Sequence, residues 1–71
     1  MNPGNIVINK FGICSPVYDV IHGEFVAEFS SSEIGMVLDF SYSTTDVPYI
    51  QILTSRGVRG WIRYERVEVI R

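Results

Sequence analysis

Apolar and polar residues alternate in parts of this chain, such as 24–29, with the two-residue period of β-strands. Five runs rich in β-branched and aromatic residues are each bounded by glycine, proline or serine turns. They predict strands over 5–11, 24–29, 34–42, 49–54 and 59–64, followed by a short closing strand over 67–70. No window sustains a helical period, although Glu65-Arg66 fits a single 3₁₀ turn before the last strand. The pattern therefore predicts an all-β fold.

The last two long runs predict a hairpin, because the residues between them contain a glycine. A three-residue loop, Arg56-Gly57-Val58, is the length that keeps one face of the hairpin apolar. The predicted cross-strand pairs are Ile50 with Tyr64, Gln51 with Arg63, Ile52 with Ile62 and Leu53 with Trp61. The outer face then presents Tyr49, Gln51, Leu53, Arg59, Trp61 and Arg63 together.

The run over 34–42 is apolar on both sides, which is typical of a bent strand that contributes to both packed sheets of a small barrel. Short strands at tight spacing give the same indication. We therefore expect a single domain over 1–71, with an all-β fold of the small five-stranded barrel type.

The chain has 71 residues, 46% of them hydrophobic, which allows one domain with a modest core. Cys14 is the only cysteine and His22 the only histidine, so neither a disulfide nor a four-ligand zinc site can form. No run reaches the roughly 18 apolar residues of a membrane span. The free cysteine and the lack of a signal-like N-terminus favour a reducing compartment, and we expect a cytoplasmic protein.

Charge is unevenly distributed along the chain. Up to Ser55 the only base is Lys10, against six acidic residues, whereas the remaining residues hold five arginines and two glutamates. This asymmetry fits an acidic partner or self-complementary packing of two copies. It also fits arginines that are simply solvated on an exposed hairpin.

Trp61 between Arg59 and Arg63 is the most distinctive local motif. Three readings stay open for it: an anchor for a protein partner, a stacking and anion platform for nucleic acid, or a surface tryptophan covered by arginine stems. The net charge of −2 weighs against nucleic acid, since phosphate binding rests on positive surface.

The sequence offers little support for a catalytic function. Cys14 and His22 invite a thiol–imidazole reading, but the pair lacks an orienting carboxamide and a glycine-rich oxyanion turn. Spread over turns and strand ends, the glycines form no phosphate-binding loop. We expect a protein that is not an enzyme and that uses no metal and no cofactor.

A set of short segments gives the chain a recognisable pattern: Pro16-Val17-Tyr18-Asp19, 23–29, 32–38, 50–52, 57–62 and 67–70. Through these segments residues 14–70 resemble a bacterial SH3-like domain, and the resemblance implies a small five-stranded SH3-like barrel. The chain is also similar to short free-standing SH3-like proteins of bacteriophages and marine microbes. It departs from peptide-binding SH3 domains, because Val20 and Arg66 stand where tyrosines are usual and no tryptophan pair begins the fourth strand, where Tyr49 and Ile50 lie. A proline-rich ligand is therefore not favoured.

Our first hypothesis for the function is a non-catalytic module that acts by protein–protein contact, as a homo-oligomer or a phage-type assembly component. In the latter case the protein would be part of a virion. A nucleic-acid-binding barrel that uses the C-terminal arginines is the second hypothesis. The third, implied by the resemblance, is binding of cell-wall glycan or peptide. None of the three involves a membrane or a small-molecule substrate.

Overall fold

The computed structural model describes residues 1–10, 12 and 14–70. Its seven strands and one 3₁₀ helix are β1 (Ile6–Asn9), β2 (Ser15–Tyr18), β3 (Phe25–Phe29), β4 (Ile34–Tyr42), β5 (Pro48–Thr54), β6 (Arg59–Arg63), η1 (Tyr64–Arg66) and β7 (Val67–Val69). All described strand pairs are antiparallel and belong to one sheet with the order β3-β2-β6-β5-β4-β1-β7. The all-β prediction and the 3₁₀ turn are confirmed.

The predicted count of five strands differs from the structure, which has seven strands in a sheet that is not closed. The missed strand is β2, because residues 15–18 were not among the predicted strands. Pro16 lies opposite Glu28 of β3, and only Tyr18 of β2 pairs with β6. The first predicted strand was to extend to Phe11, which lies outside the described residues.

Every strand contributes to one core, which explains how an open sheet encloses an interior. The core side chains, all at most 4% exposed, are Val7, Val17, Phe29, Val37, Ile50, Ile52, Ile62 and Val67. Because side chains of a strand alternate between faces, burial from all seven strands requires the sheet to curl around its inner face.

A single side chain joins the two ends of the curled sheet. Asn9 on β1 is buried, and its Nδ2 donates to the Phe29 carbonyl on edge strand β3 at 2.8 Å. β1 is next to the other edge strand, β7. The gap that backbone pairing leaves open is therefore crossed by a side-chain amide.

The register of the β5–β6 hairpin differs from the prediction. The loop begins one residue earlier than predicted, so each β5 residue pairs with a β6 residue two positions earlier in the chain. The structure pairs Ile50 with Ile62 and places Gly60 opposite Ile52. The loop still has three residues, but they are Ser55, Arg56 and Gly57, and Gly57 has a φ of 83°. A three-residue loop commonly needs such a left-handed third position, which glycine fills without strain. The shift keeps the predicted face of each side chain.

The tip of this hairpin is tied to the β3–β4 turn. Arg56 Nε lies 2.9 Å from Glu33 Oε2, and its Nη2 donates to the Glu28 carbonyl at 2.7 Å. Glu33 is 8% exposed, and its Oε1 accepts a bond from the Ser30 N–H. Burial alone would raise the pKa of Glu33, but the hydrogen bonds from Ser30 and Arg56 outweigh it and lower the pKa.

Candidate functional site

The six residues predicted to share the outer face of the hairpin lie together on that face. They form three cross-strand pairs of β5 and β6, which are Tyr49 with Arg63, Gln51 with Trp61 and Leu53 with Arg59. Their exposure, however, is uneven. Leu53 and the two arginines are exposed, Gln51 and Trp61 are half-buried, and Tyr49 is only 4% exposed. The face therefore offers arginine and leucine side chains more than aromatic rings.

Tyr49 is covered by the turn that joins β2 to β3. The ring of His22 in this turn lies 6.2 Å from the Tyr49 ring in an edge-on arrangement. Sequence periodicity reports which face of a strand a side chain occupies, but it does not report which distant turn covers that face. For this reason Tyr49 was expected at the surface.

The local sequence determines the shape of this turn. Asp19 Oδ1 accepts hydrogen bonds from the N–H groups of Val20 and Glu24, at 2.7 and 2.8 Å. His22 has a φ of 61°, and the Gly23 N–H donates to the Val20 carbonyl. A Cβ on Gly23 would collide with Asp19 and Val20. The Asp19 carboxylate and Gly23 thus hold the His22 ring over Tyr49.

A groove of about 500 Å³ opens where this turn meets β6 and η1. We call it the arginine groove; its lining residues are Pro16, Tyr18, His22, Gly23, Tyr49, Arg63 and Arg66. Four separate segments of the chain supply them. Of these residues, the sequence had singled out Arg63 and Tyr49 for the site, whereas Tyr18, His22 and Arg66 were missed.

Two arginines, Arg63 and Arg66, line the arginine groove. Hydrogen bonding with the Tyr49 side chain, and then with Glu65, raises the pKa of Arg63, so this guanidinium stays charged. Arg63 Nη1 lies 3.4 Å from Glu65 Oε1, and both side chains are more than half exposed, which makes this a weak pair. None of the groove's described lining residues is a carboxylate. A ligand carboxylate would therefore meet two guanidinium groups there and no lining acid.

Trp61 on β6 is separated from the edge strand β3 by β2, which carries Tyr18. Tyr18 pairs with Phe25 on one side and with Trp61 on the other, so three aromatic residues occupy one row across β3, β2 and β6. Next to Trp61, Gly60 permits this close approach of β2, since a Cβ there would lie 2.6 Å from the Tyr18 carbonyl oxygen. The pairing of β2 with β6 had not been predicted.

Cys14 and His22 line different cavities, so the structure does not bring them into one site. Cys14 is exposed, and hydrogen bonding to Glu28 together with desolvation and the charge of Glu28 raises the pKa of its thiol. A raised pKa lowers the fraction of reactive thiolate. Among the described residues, no group of three metal-ligating side chains is present.

A second aromatic cluster lies at the end of β4 and had not been predicted. The Phe40 ring is 5.2 Å from Tyr42 and 5.8 Å from Tyr64, both edge-on, and the cluster borders a cavity of about 340 Å³ with Met1 and Pro48. The bulge that begins after Val37 shifts the pairing of β4 and places Phe40 opposite Ile50. The aromatic residues at alternate positions 40 and 42 were the feature of the sequence from which this cluster could have been predicted.

No family model matches this chain, and no curated protein or solved structure matches it either. In the part of the chain that the structure describes, no helix has the length and apolar character needed to cross a membrane.

Proposed function

We propose that this protein is a non-catalytic binding module that acts by protein–protein contact and holds an extended acidic segment of a partner in the arginine groove. The observation that carries the proposal is the composition of that groove, in which two arginines stand beside tyrosine and proline walls with no carboxylate among the described lining residues.

The chemistry of these side chains suits an extended acidic peptide. A guanidinium can donate two parallel hydrogen bonds to a carboxylate, which gives both affinity and orientation. Flat rings such as Tyr18, together with Pro16, pack well against an extended backbone. His22 and the tyrosine hydroxyls add polar groups that can bond to peptide carbonyls.

Catalysis is the less favoured reading, for a geometric reason. A nucleophile needs a base within hydrogen-bonding reach, and Cys14 and His22 line separate cavities.

We further propose that the sheet is a variant of the SH3-like barrel. Three features support this proposal. Every strand contributes a side chain to the core, the Asn9 side chain donates a hydrogen bond to the Phe29 carbonyl across the open side, and a 3₁₀ turn precedes β7. An experimental structure whose strand order differs from β3-β2-β6-β5-β4-β1-β7 would overturn this assignment.

The groove proposal is tested with a short labelled peptide of alternating glutamate and proline, which proline keeps extended. Fluorescence anisotropy should show binding that a glutamine–proline peptide and a lysine–proline peptide do not share. Arg63→Gln should weaken binding about tenfold, since a charge-assisted hydrogen bond is lost. Arg59→Gln is the matched control, because Arg59 is on the same strand and face but does not line the groove.

Equal weakening by both variants would contradict the groove and favour the nucleic-acid alternative. That alternative rests on Arg59 and Arg63 flanking Trp61 on one face. It predicts a mobility shift with single-stranded DNA whose affinity falls steeply with salt, because each neutralised phosphate releases counterions. Failure of the acidic peptide to bind at all would overturn the groove proposal outright.

A further inference from the structure

A second surface of the molecule is aliphatic rather than aromatic. The outer side chains of three adjacent strands, β1, β4 and β5, form what we call the aliphatic face: Ile6, Ile8, Ile34, Met36 and Leu53. Ile6, Met36 and Leu53 are 36–38% exposed and Ile34 is 47% exposed. Contiguous apolar exposure of this kind commonly marks an interaction surface.

The strand registers place these side chains in two neighbouring rows. Ile6 pairs with Met36, and Met36 pairs with Leu53, so one row crosses three strands. Ile8 pairs with Ile34 in the next row. Side chains opposite one another on the same face of a sheet are close neighbours. The five residues therefore make one patch and not scattered exposures.

Each end of the patch carries a charge of opposite sign. Glu68 on β7 pairs with Ile8, and Arg59 on β6 pairs with Leu53. Both charged side chains are exposed. Within the described part of the chain, neither of them forms an ion pair. The surface thus runs from an acid, across aliphatic side chains, to a base.

From this arrangement we infer that the aliphatic face is a homodimer interface in which two copies pack face to face about a two-fold axis. A two-fold axis makes every contact occur twice, with residue and partner exchanged. Arg59 of each copy then faces Glu68 of the other, and the aliphatic side chains form the centre. An apolar core with a charged rim is the usual anatomy of such an interface.

The required size is compatible with the chain. A small specific interface buries roughly 600 Å² on each partner, a modest share of the 4336 Å² that this chain exposes. Ile70, which is 43% exposed and whose N–H bonds to the Ile6 carbonyl, extends the patch at the β7 side. The inference concerns a surface and a partner different from those of the arginine groove.

Charge reversal tests the dimer without touching the core. Sedimentation and light scattering across a wide concentration range should give twice the monomer mass for the wild type. Arg59→Glu and Glu68→Arg should each weaken dimerisation by about tenfold or more, because two symmetric attractions become repulsions. The double variant Arg59→Glu with Glu68→Arg should restore the dimer, since each new charge again faces its opposite.

Arg63→Glu is the matched control, because it reverses a charge on the same strand outside the aliphatic face and should leave the mass unchanged. A wild type that stays monomeric throughout, a double variant without recovery, or equal disruption by Arg63→Glu would each overturn the inference. Circular dichroism of every variant shows that the fold is retained. Peptide binding by the monomeric Arg59→Glu variant separates this outcome from the fate of the groove proposal.

Discussion

The two faces of strand β6 differ in what they contact and in what their side chains can do. On the inner face, Gly60 and Ile62 are buried, and Ile62 is completely excluded from solvent. On the outer face, Arg59 and Arg63 are exposed and Trp61 is half-buried. Five consecutive residues therefore divide into two that stabilise the sheet and three that face solvent or other strands.

Burial and solvent exposure therefore fall on alternate positions of one strand. Because neighbouring side chains occupy opposite faces, substitutions one residue apart should have different consequences for stability.

The largest effect is expected from Ile62→Ala, which should lower the free energy of unfolding by about 2–5 kcal/mol because it removes core methylenes opposite Ile50. Trp61→Ala should cost clearly less, since Trp61 is only half-buried on the other face. Urea denaturation of both variants measures the difference. A larger loss for Trp61→Ala than for Ile62→Ala would show that the tryptophan belongs to the core.

Gly60→Ala should destabilise the protein by about 1–3 kcal/mol, as overpacking does. Its Cβ would lie 2.6 Å from the Tyr18 carbonyl oxygen and 2.7 Å from Val17 Cγ1, so β2 would have to move. Gly35→Ala is the matched control, because it is also buried in a strand but its Cβ would meet neighbours at an ordinary 3.5 Å. Equal melting temperatures for Gly60→Ala and Gly35→Ala would contradict the close approach of β2 to β6 at Gly60.

Glu33→Gln should cost about 1 kcal/mol at neutral pH, since Arg56 loses its ion pair while remaining largely exposed. The folded-state pKa of Glu33 lies below its ordinary value of 4.5. Its ionised form therefore stabilises the fold above that value, and the stabilisation disappears as the pH falls through the lowered pKa.

The difference in unfolding free energy between wild type and Glu33→Gln should shrink on acidification. Glu28→Gln serves as the control, because Arg56 contacts only the backbone carbonyl of Glu28, which this substitution keeps. If Glu33→Gln lowered the unfolding free energy by the same amount at neutral and acidic pH, the ionised Glu33 carboxylate would not be the source of the stabilisation.

The smallest effect is expected from Ser15→Ala, and it should be favourable by up to about 1 kcal/mol. Ser15 is fully buried, and its Oγ has no hydrogen-bond partner among the described residues, so the hydroxyl carries a desolvation cost. The buried Ser43 Oγ, in contrast, accepts bonds from the Thr45 and Val47 N–H groups. Calorimetry should therefore show a higher melting temperature for Ser15→Ala and a lower one for Ser43→Ala.

Strand positions and their faces were predictable because they depend on local alternation. The outer positions of β5 and β6 follow from this alternation even though the hairpin register was placed one loop position away. That error arose because alternation fixes the parity of a pairing but not its offset. The left-handed conformation of Gly57, which fixes the loop at residues 55–57, is a property of the folded turn.

The candidate site was predictable only in part, because it is assembled from segments that the sequence does not connect. Tyr49 and Arg63 belong to one hairpin and were found together. His22 and Arg66 reach the same groove from a turn and from η1, through a sheet order that alternation does not encode. Likewise β2, which places Tyr18 beside Trp61, was not among the predicted strands.

The position of β1 in the sheet has a consequence for how the chain folds. β4, β5 and β6 are joined by short turns, whereas β1 pairs with β7 from the opposite end of the sequence. Closing so long a loop costs more chain entropy than closing a turn, so we expect the three-stranded meander to form first and β1 to dock against β7 late. We also expect this β1–β7 pairing to open first, so that amide protons of β7 exchange with solvent sooner than that of Ile52 at the centre of the sheet.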